Sequence, residues 1–95
     1  MENIILHVYY RSKNGTAEDF VRAVKESGTQ DKVRAEDGCI QYDYHLSLEE
    51  CGTVVLLEKW RDSDALAAHM QHPNMAALKE LKERYALETV LERYE

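Results

Sequence analysis

Thr53-Val54-Val55-Leu56-Leu57-Glu58-Lys59-Trp60-Arg61-Asp62-Ser63-Asp64-Ala65-Leu66-Ala67-Ala68-His69-Met70 is the stretch that decides the fold. Its first half, Thr53 to Arg61, is a short apolar run rich in β-branched and aromatic residues, which reads as a strand. Asp62 then suits a helix N-cap, and Asp64 sits near the positive end of the helix that follows. In that helix Ala65, Leu66, His69 and Met70 share one stripe. A strand therefore passes almost directly into a helix.

Working outward, Cys39 to Leu48 alternates as a strand should, with Ile40, Tyr42, Tyr44 and Leu46 on one face. Glu49 to Gly52 is the turn, so the two strands form an antiparallel hairpin. On the other side, Pro73 cannot continue the first helix but fits the first position of a second. Met75, Leu78, Leu81 and Tyr85 give that segment its apolar stripe, with Lys79, Glu80, Lys82 and Glu83 facing out. From Ala86 to Glu95, Leu87, Thr89, Leu91 and Arg93 alternate against Glu88, Val90, Glu92 and Tyr94. This predicts a last strand, with a helix as the alternative.

At the other end, Ile4 to Tyr10 reads as a strand with Ile4, Leu6, Val8 and Tyr10 on one face and Ile5, His7 and Tyr9 on the other. Both faces are largely apolar, which predicts a sheet covered on each side. Asn14-Gly15 signals a turn, and Thr16 with Asp19 nearly matches a capping box. Ala17, Phe20, Val21 and Val24 keep helical spacing until Gly28 stops the helix. Thr29 to Ala35 is polar and forms either a second short helix or a loop. The order is β-α-β-β-α-β: an α+β fold of the ferredoxin-like split βαβ type with an antiparallel sheet.

Ninety-five residues make a single domain over positions 1–95. Its core is thin, and dimerisation would enlarge it. The 18 Asp and Glu outnumber the 12 Lys and Arg, and they are scattered rather than massed. Without a basic face, nucleic acid is not an expected partner. No apolar run approaches the roughly 20 residues that span a bilayer, so no membrane is expected either. Met1-Glu2-Asn3 lacks the basic flank of a signal peptide. Cys39 and Cys51 form no metal or redox motif and do not face each other across the hairpin. Reduced thiols suit a cytoplasmic protein.

Glu58 and Trp60 are two apart on a strand and share a face. If the following helix packs back on the sheet, His69 joins them, and an acid, an indole and an imidazole converge. Such a site would hold a planar aromatic substrate by stacking and move a proton through His69 or Glu58. The plainer reading is that Trp60 is core, Glu58 pairs with a local donor and His69 packs near a helix end. Tyr42, His7 and His72 are further candidates for substrate contact. Each has a simpler role: strand former, cross-sheet packing and helix boundary respectively. His69 and His72 are three apart, but nothing nominates a third ligand, so no metal is expected.

There is no G-x-G-x-x-G, P-loop, H-E-x-x-H or nucleophile elbow. No cofactor is expected. If the protein oxidises anything, the substrate itself must supply electrons to dioxygen. A deprotonated quinol or phenol can do so.

The run Glu36-Asp37-Gly38-Cys39-Ile40-Gln41-Tyr42, then Leu57-Glu58-Lys59-Trp60, then Ala65-Leu66-Ala67-Ala68-His69 and His72-Pro73, resembles the antibiotic biosynthesis monooxygenase (ABM) family. The resemblance covers nearly the whole chain. It implies a homodimer, a dimeric α/β barrel in which two sheets pack face to face. It also implies a cofactor-independent monooxygenase acting with dioxygen on quinols or polycyclic phenols. Glu58, Trp60 and His69 stand at the family's motif positions. The family is functionally mixed. Heme degraders carry an Asn, Trp and His trio, whereas here His7 stands on the first strand, His69 replaces their catalytic Trp, and Lys79 stands at their later His position. Other relatives isomerise or process small phosphorylated signal molecules. A non-catalytic module that binds a small molecule is the remaining alternative.

Overall fold

The computed structural model describes residues 3–12, 16–85 and 88–94. Eight elements follow one another: β1 (Ile4–Arg11), α1 (Thr16–Glu26), α2 (Thr29–Arg34), β2 (Cys39–Leu46), β3 (Thr53–Trp60), α3 (Ser63–Met70), α4 (Pro73–Arg84) and β4 (Glu88–Tyr94). The strands form one four-stranded antiparallel sheet in the order β2-β3-β1-β4. This is the α+β, ferredoxin-like arrangement that the sequence predicts. The Asn14-Gly15 turn and Leu87 lie outside the described residues.

Strand alternation divides the sheet into two unlike faces. Ile4, Leu6, Val8 and Tyr10 of β1 and Val54, Leu56, Glu58 and Trp60 of β3 are buried on the inner face. They pack against Phe20 and Val24 of α1, Val33 of α2, Leu66 of α3 and Leu78 of α4. The outer face carries Ile5, His7, Tyr9, Val55 and Leu57, each half-buried. Among the described residues no helix packs on that face, and the apolar outer residues expected to meet a second layer stand partly open.

Several local expectations change. Thr16 does not cap α1 through its own hydroxyl: it donates to the Tyr85 carbonyl (3.2 Å), and Ser12 Oγ accepts the Ala17 N–H instead (3.0 Å). Residues 29–34 are a helix, in which Gln30 is buried because its side chain is satisfied at both ends. Its Nε2 donates to the Tyr42 carbonyl and its Oε1 accepts from Lys25. The register of β2 against β3 shifts between Cys39 and Gln41, making Ile40 the extra residue of a bulge. Ile40 is therefore 52% exposed instead of joining Tyr42 and Tyr44 inside; Leu46, opposite Val54 at the far end of β2, shares their face but is also 52% exposed. Met70 also lies outside, at the C-terminal end of α3, and Lys82 is half-buried rather than fully outward.

Asp62 caps α3, its carboxylate accepting the Ala65 N–H at 2.8 Å. Pro73 opens α4, and His72 caps it by accepting the Asn74 N–H on its ring nitrogen Nδ1. Both thiols are free, Cys39 at the start of β2 and Cys51 exposed in the turn. Among the described residues no helix is long and apolar enough to cross a membrane.

Candidate active site

β3 places Glu58 and Trp60 on the inner face, and antiparallel pairing sets Tyr42 of β2 directly beside Glu58. The cap at Asp62 starts α3 at once, so the helix folds back over the sheet and brings His69 down onto Trp60. The imidazole and indole stack with centroids 4.4 Å apart and planes 26° from parallel. Tyr42 meets the same imidazole edge-on at 6.1 Å. Glu58, Trp60, His69 and Tyr42 thus form one buried cluster.

Polar contacts tie this cluster to its surroundings. Trp60 Nε1 donates to Glu58 Oε1 at 3.0 Å. His69 Nε2 approaches the same oxygen to 3.9 Å, short of a hydrogen bond. His69 Nδ1 lies 2.9 Å from Glu36 Oε1, and Glu36 Oε2 accepts from Asn74 Nδ2, also at 2.9 Å. The side chains of His69 and Glu36 are only 2% and 6% exposed, so the contact is dry on the protein side. Glu36 and Asn74 were not singled out as site residues by the sequence. Glu36 stands within the motif run, but no periodicity marks a loop carboxylate as buried.

Burial pushes the Glu58 carboxyl above its ordinary range, since a charge is costly in an apolar surrounding. The Trp60 N–H, His69 and Lys82 pull it back down, while Glu36 pushes it further up. Tyr10, Tyr42 and Tyr44 wall the same inner face. Burial raises all three phenols, and Glu58 adds to the effect in each. Next to Trp60 across the ladder, burial and the Glu36 and Glu58 charges push the Cys39 thiol to about 11. The tyrosines and the thiol are therefore neutral near neutrality. The carboxylates and His69 are left as the proton-handling groups.

His7 and His72 do not enter this cluster. His7 is on the outer face, where it packs on Tyr94 with ring centroids 4.8 Å apart. His72 is an exposed cap, and it lines a surface depression of about 300 Å³ together with Glu36, Arg61, Asp64 and His69. The His69 and Glu36 pair thus lies between the tyrosine-walled interior and a solvent-facing hollow. A second cavity, of about 350 Å³, opens between α1 and the hairpin, over Val21, Tyr44, Leu46 and Val54. Among the described residues no group of three His, Cys, Asp or Glu side chains is placed to hold a metal ion.

Comparison with known proteins places this geometry in a family. The chain is 38% identical to YcnE of Bacillus subtilis (strain 168) over 66 residues, 70% of this chain and 67% of YcnE. YcnE carries a provisional monooxygenase name. A conserved protein of unknown function from Bacteroides thetaiotaomicron superposes with a TM-score of 0.83 at 27% identity, over 97% of this chain and 95% of that one. PA3566 from Pseudomonas aeruginosa gives 0.81 at 25% identity, over 99% and 93%. The sequence profile for antibiotic biosynthesis monooxygenase matches residues 3–81. The chain belongs to the antibiotic biosynthesis monooxygenase family.

Proposed function

We propose that this protein is a cofactor-independent monooxygenase that oxidises a quinol or polycyclic phenol with dioxygen. The observation that carries the reading is the acid–imidazole pair, Glu58 and His69, buried among Trp60 and three tyrosines. A phenolic proton passes to His69 or Glu58, and the resulting phenolate is electron-rich enough to reduce dioxygen. One oxygen atom enters the ring carbon and the other leaves as water, the substrate supplying all the electrons. Removing water from the site strengthens each electrostatic contact within it. Tyr42 and Trp60 line the substrate's place, with His69 and Glu58 as the catalytic groups. The working form is a cytoplasmic homodimer built through the bare outer face of the sheet.

Oxygen uptake with a panel of quinols tests the reading, comparing wild type with His69→Ala and Glu58→Gln. Loss of about 100-fold or more in either variant is expected for a general acid or base. Uptake unchanged in both removes these residues from the chemistry. The second reading, a module that captures a small aromatic or signal molecule without turnover, is favoured by the pairing of Glu58 with Trp60 and of His69 with Glu36 before any ligand arrives. Ligand-dependent thermal stabilisation with no new mass in the product spectrum would select it.

A further inference from the structure

The buried carboxylate of Glu36 has no part in the function just described, yet it is the shortest polar contact His69 makes, at 2.9 Å. We propose that Glu36 is a positioning residue: it holds the Nδ1–H of His69 and so presents Nε2 to the interior as the proton-accepting atom.

An ionised carboxylate can only accept hydrogen bonds. With Oε2 already occupied by the Asn74 amide, Glu36 Oε1 is free for one donor, and His69 Nδ1 is the atom that faces it. Histidine with no neighbours favours the opposite neutral tautomer, with the proton on Nε2. The carboxylate reverses that preference. A half-turn of the ring would keep the stack on Trp60 but set a carbon, Cδ2, against Glu36, so the 2.9 Å contact is what holds Nδ1 on that side. Nε2 is thereby fixed on the side of Glu58 Oε1.

The loop that carries Glu36 is fixed as well. Gly38 has φ +85, and a Cβ there would overlap the Ala65 Cβ, so only glycine lets this loop lie against α3. Asn74, in the first turn of α4, ties Glu36 from the other side. One carboxylate therefore joins the loop before β2 to α3 and α4.

The charged groups facing His69 come from each neighbouring element. Glu36 lies on the loop and Glu58 on β3. Asp64, Arg61 and His72 rim the outer depression. Lys82 of α4 acts on the site through Glu58. When Nε2 takes a proton from a bound phenol, Glu36 stabilises the imidazolium without itself accepting the proton. The phenolate keeps the electron pair, and the proton stays on Nε2 until it returns to product or leaves to water.

The tautomer is a property of the folded protein alone. Its consequence for turnover rests on the proposed function. Nitrogen-15 NMR of histidine-labelled wild-type protein reads the tautomer directly. Neutral His69 should carry its proton on Nδ1; a proton on Nε2 overturns the proposal. In Glu36→Gln the Nδ1–H preference should weaken. Glu36→Asp, which keeps the charge, should restore part of the wild-type Nδ1–H population. For the quinol that wild type turns over, Glu36→Gln should lower kcat about 100-fold with KM within about threefold. An unchanged kcat in that variant refutes the positioning role. If wild type oxidises no quinol, the proposed function fails, and the nitrogen spectrum still decides the tautomer.

Discussion

Glu58 illustrates what one buried charge does to a small domain. Its carboxyl is raised in the fold, first by burial, so the native state holds the proton more tightly than the unfolded chain does. Stability contributed by this group is therefore lost as pH rises from the ordinary carboxylate range through the raised value. Glu58→Gln removes the charge and keeps the shape. Chemical denaturation across that range should show the variant gaining on wild type as pH rises toward neutrality. A pH-independent difference would mean that Glu58 does not titrate in the fold. Tyr44 gives a second residue-scale prediction. Its Oη is buried and makes no hydrogen bond of good geometry among the described residues, the Tyr42 phenol being its one polar neighbour in reach. An unsatisfied hydroxyl costs about 1–3 kcal/mol, so Tyr44→Phe should raise the urea midpoint by the equivalent of about 1 kcal/mol. At this scale the strand period made the shared face of Glu58 and Trp60 legible, while His69 joins them only because α3 folds back on the sheet, which spacing allows but does not require. Glu36 and Asn74 were not legible, since both owe their burial to a loop and a helix end that no period describes.

Among the elements, the passage from α2 into β2 depends on glycine geometry more than on propensity. Gly38 has a positive φ and its carbonyl accepts the Arg61 N–H at 2.8 Å, closing the start of β2 on the end of β3. Gly38→Ala adds both an αL penalty and an overlap with Ala65, a loss of about 2–4 kcal/mol in all. In an Ala65→Gly background the overlap is relieved and only the backbone penalty remains, so the cost of Gly38→Ala should be smaller there. Equal costs in the two backgrounds, read from paired denaturation curves, would show that the overlap is not what matters. The hairpin and the Asp62 cap follow from turn and cap residues close in sequence. The Ile40 bulge does not, because perfect alternation from Cys39 to Leu48 looks the same with or without one extra residue. The capping role of Ser12 was equally hidden. Its hydroxyl reaches Ala17, five residues on, so the nearer Thr16 looks like the cap in sequence and binds Tyr85 instead.

On the scale of the whole molecule, the two sheet faces account for the apolar pattern of β1 differently. Its inner set is buried by four helices, while Ile5, His7 and Tyr9 look out beside Val55 and Leu57. Cross-strand pairing extends this patch onto β4 through Val90 and Tyr94, which are 39% and 45% exposed. Such a patch in a chain with a thin core calls for a partner layer, and a second copy offers an identical surface. The rim is charged, with Lys59 opposite Ile5 and Glu92 opposite His7, so two copies related by a twofold axis can pair charges around an apolar centre. Leu57 lies at that centre, between His7 on one side and Asp43 on the other. Leu57→Glu places two like charges in the desolvated middle of the interface, a loss of several kcal/mol and thus a more than 100-fold weaker association. Sedimentation velocity at micromolar concentration should find wild type dimeric and the variant monomeric. Its far-ultraviolet circular dichroism should be unchanged, because the substituted side chain points away from the helix-covered core. A variant that stays dimeric would remove the outer face as the interface and with it the barrel built by two facing sheets.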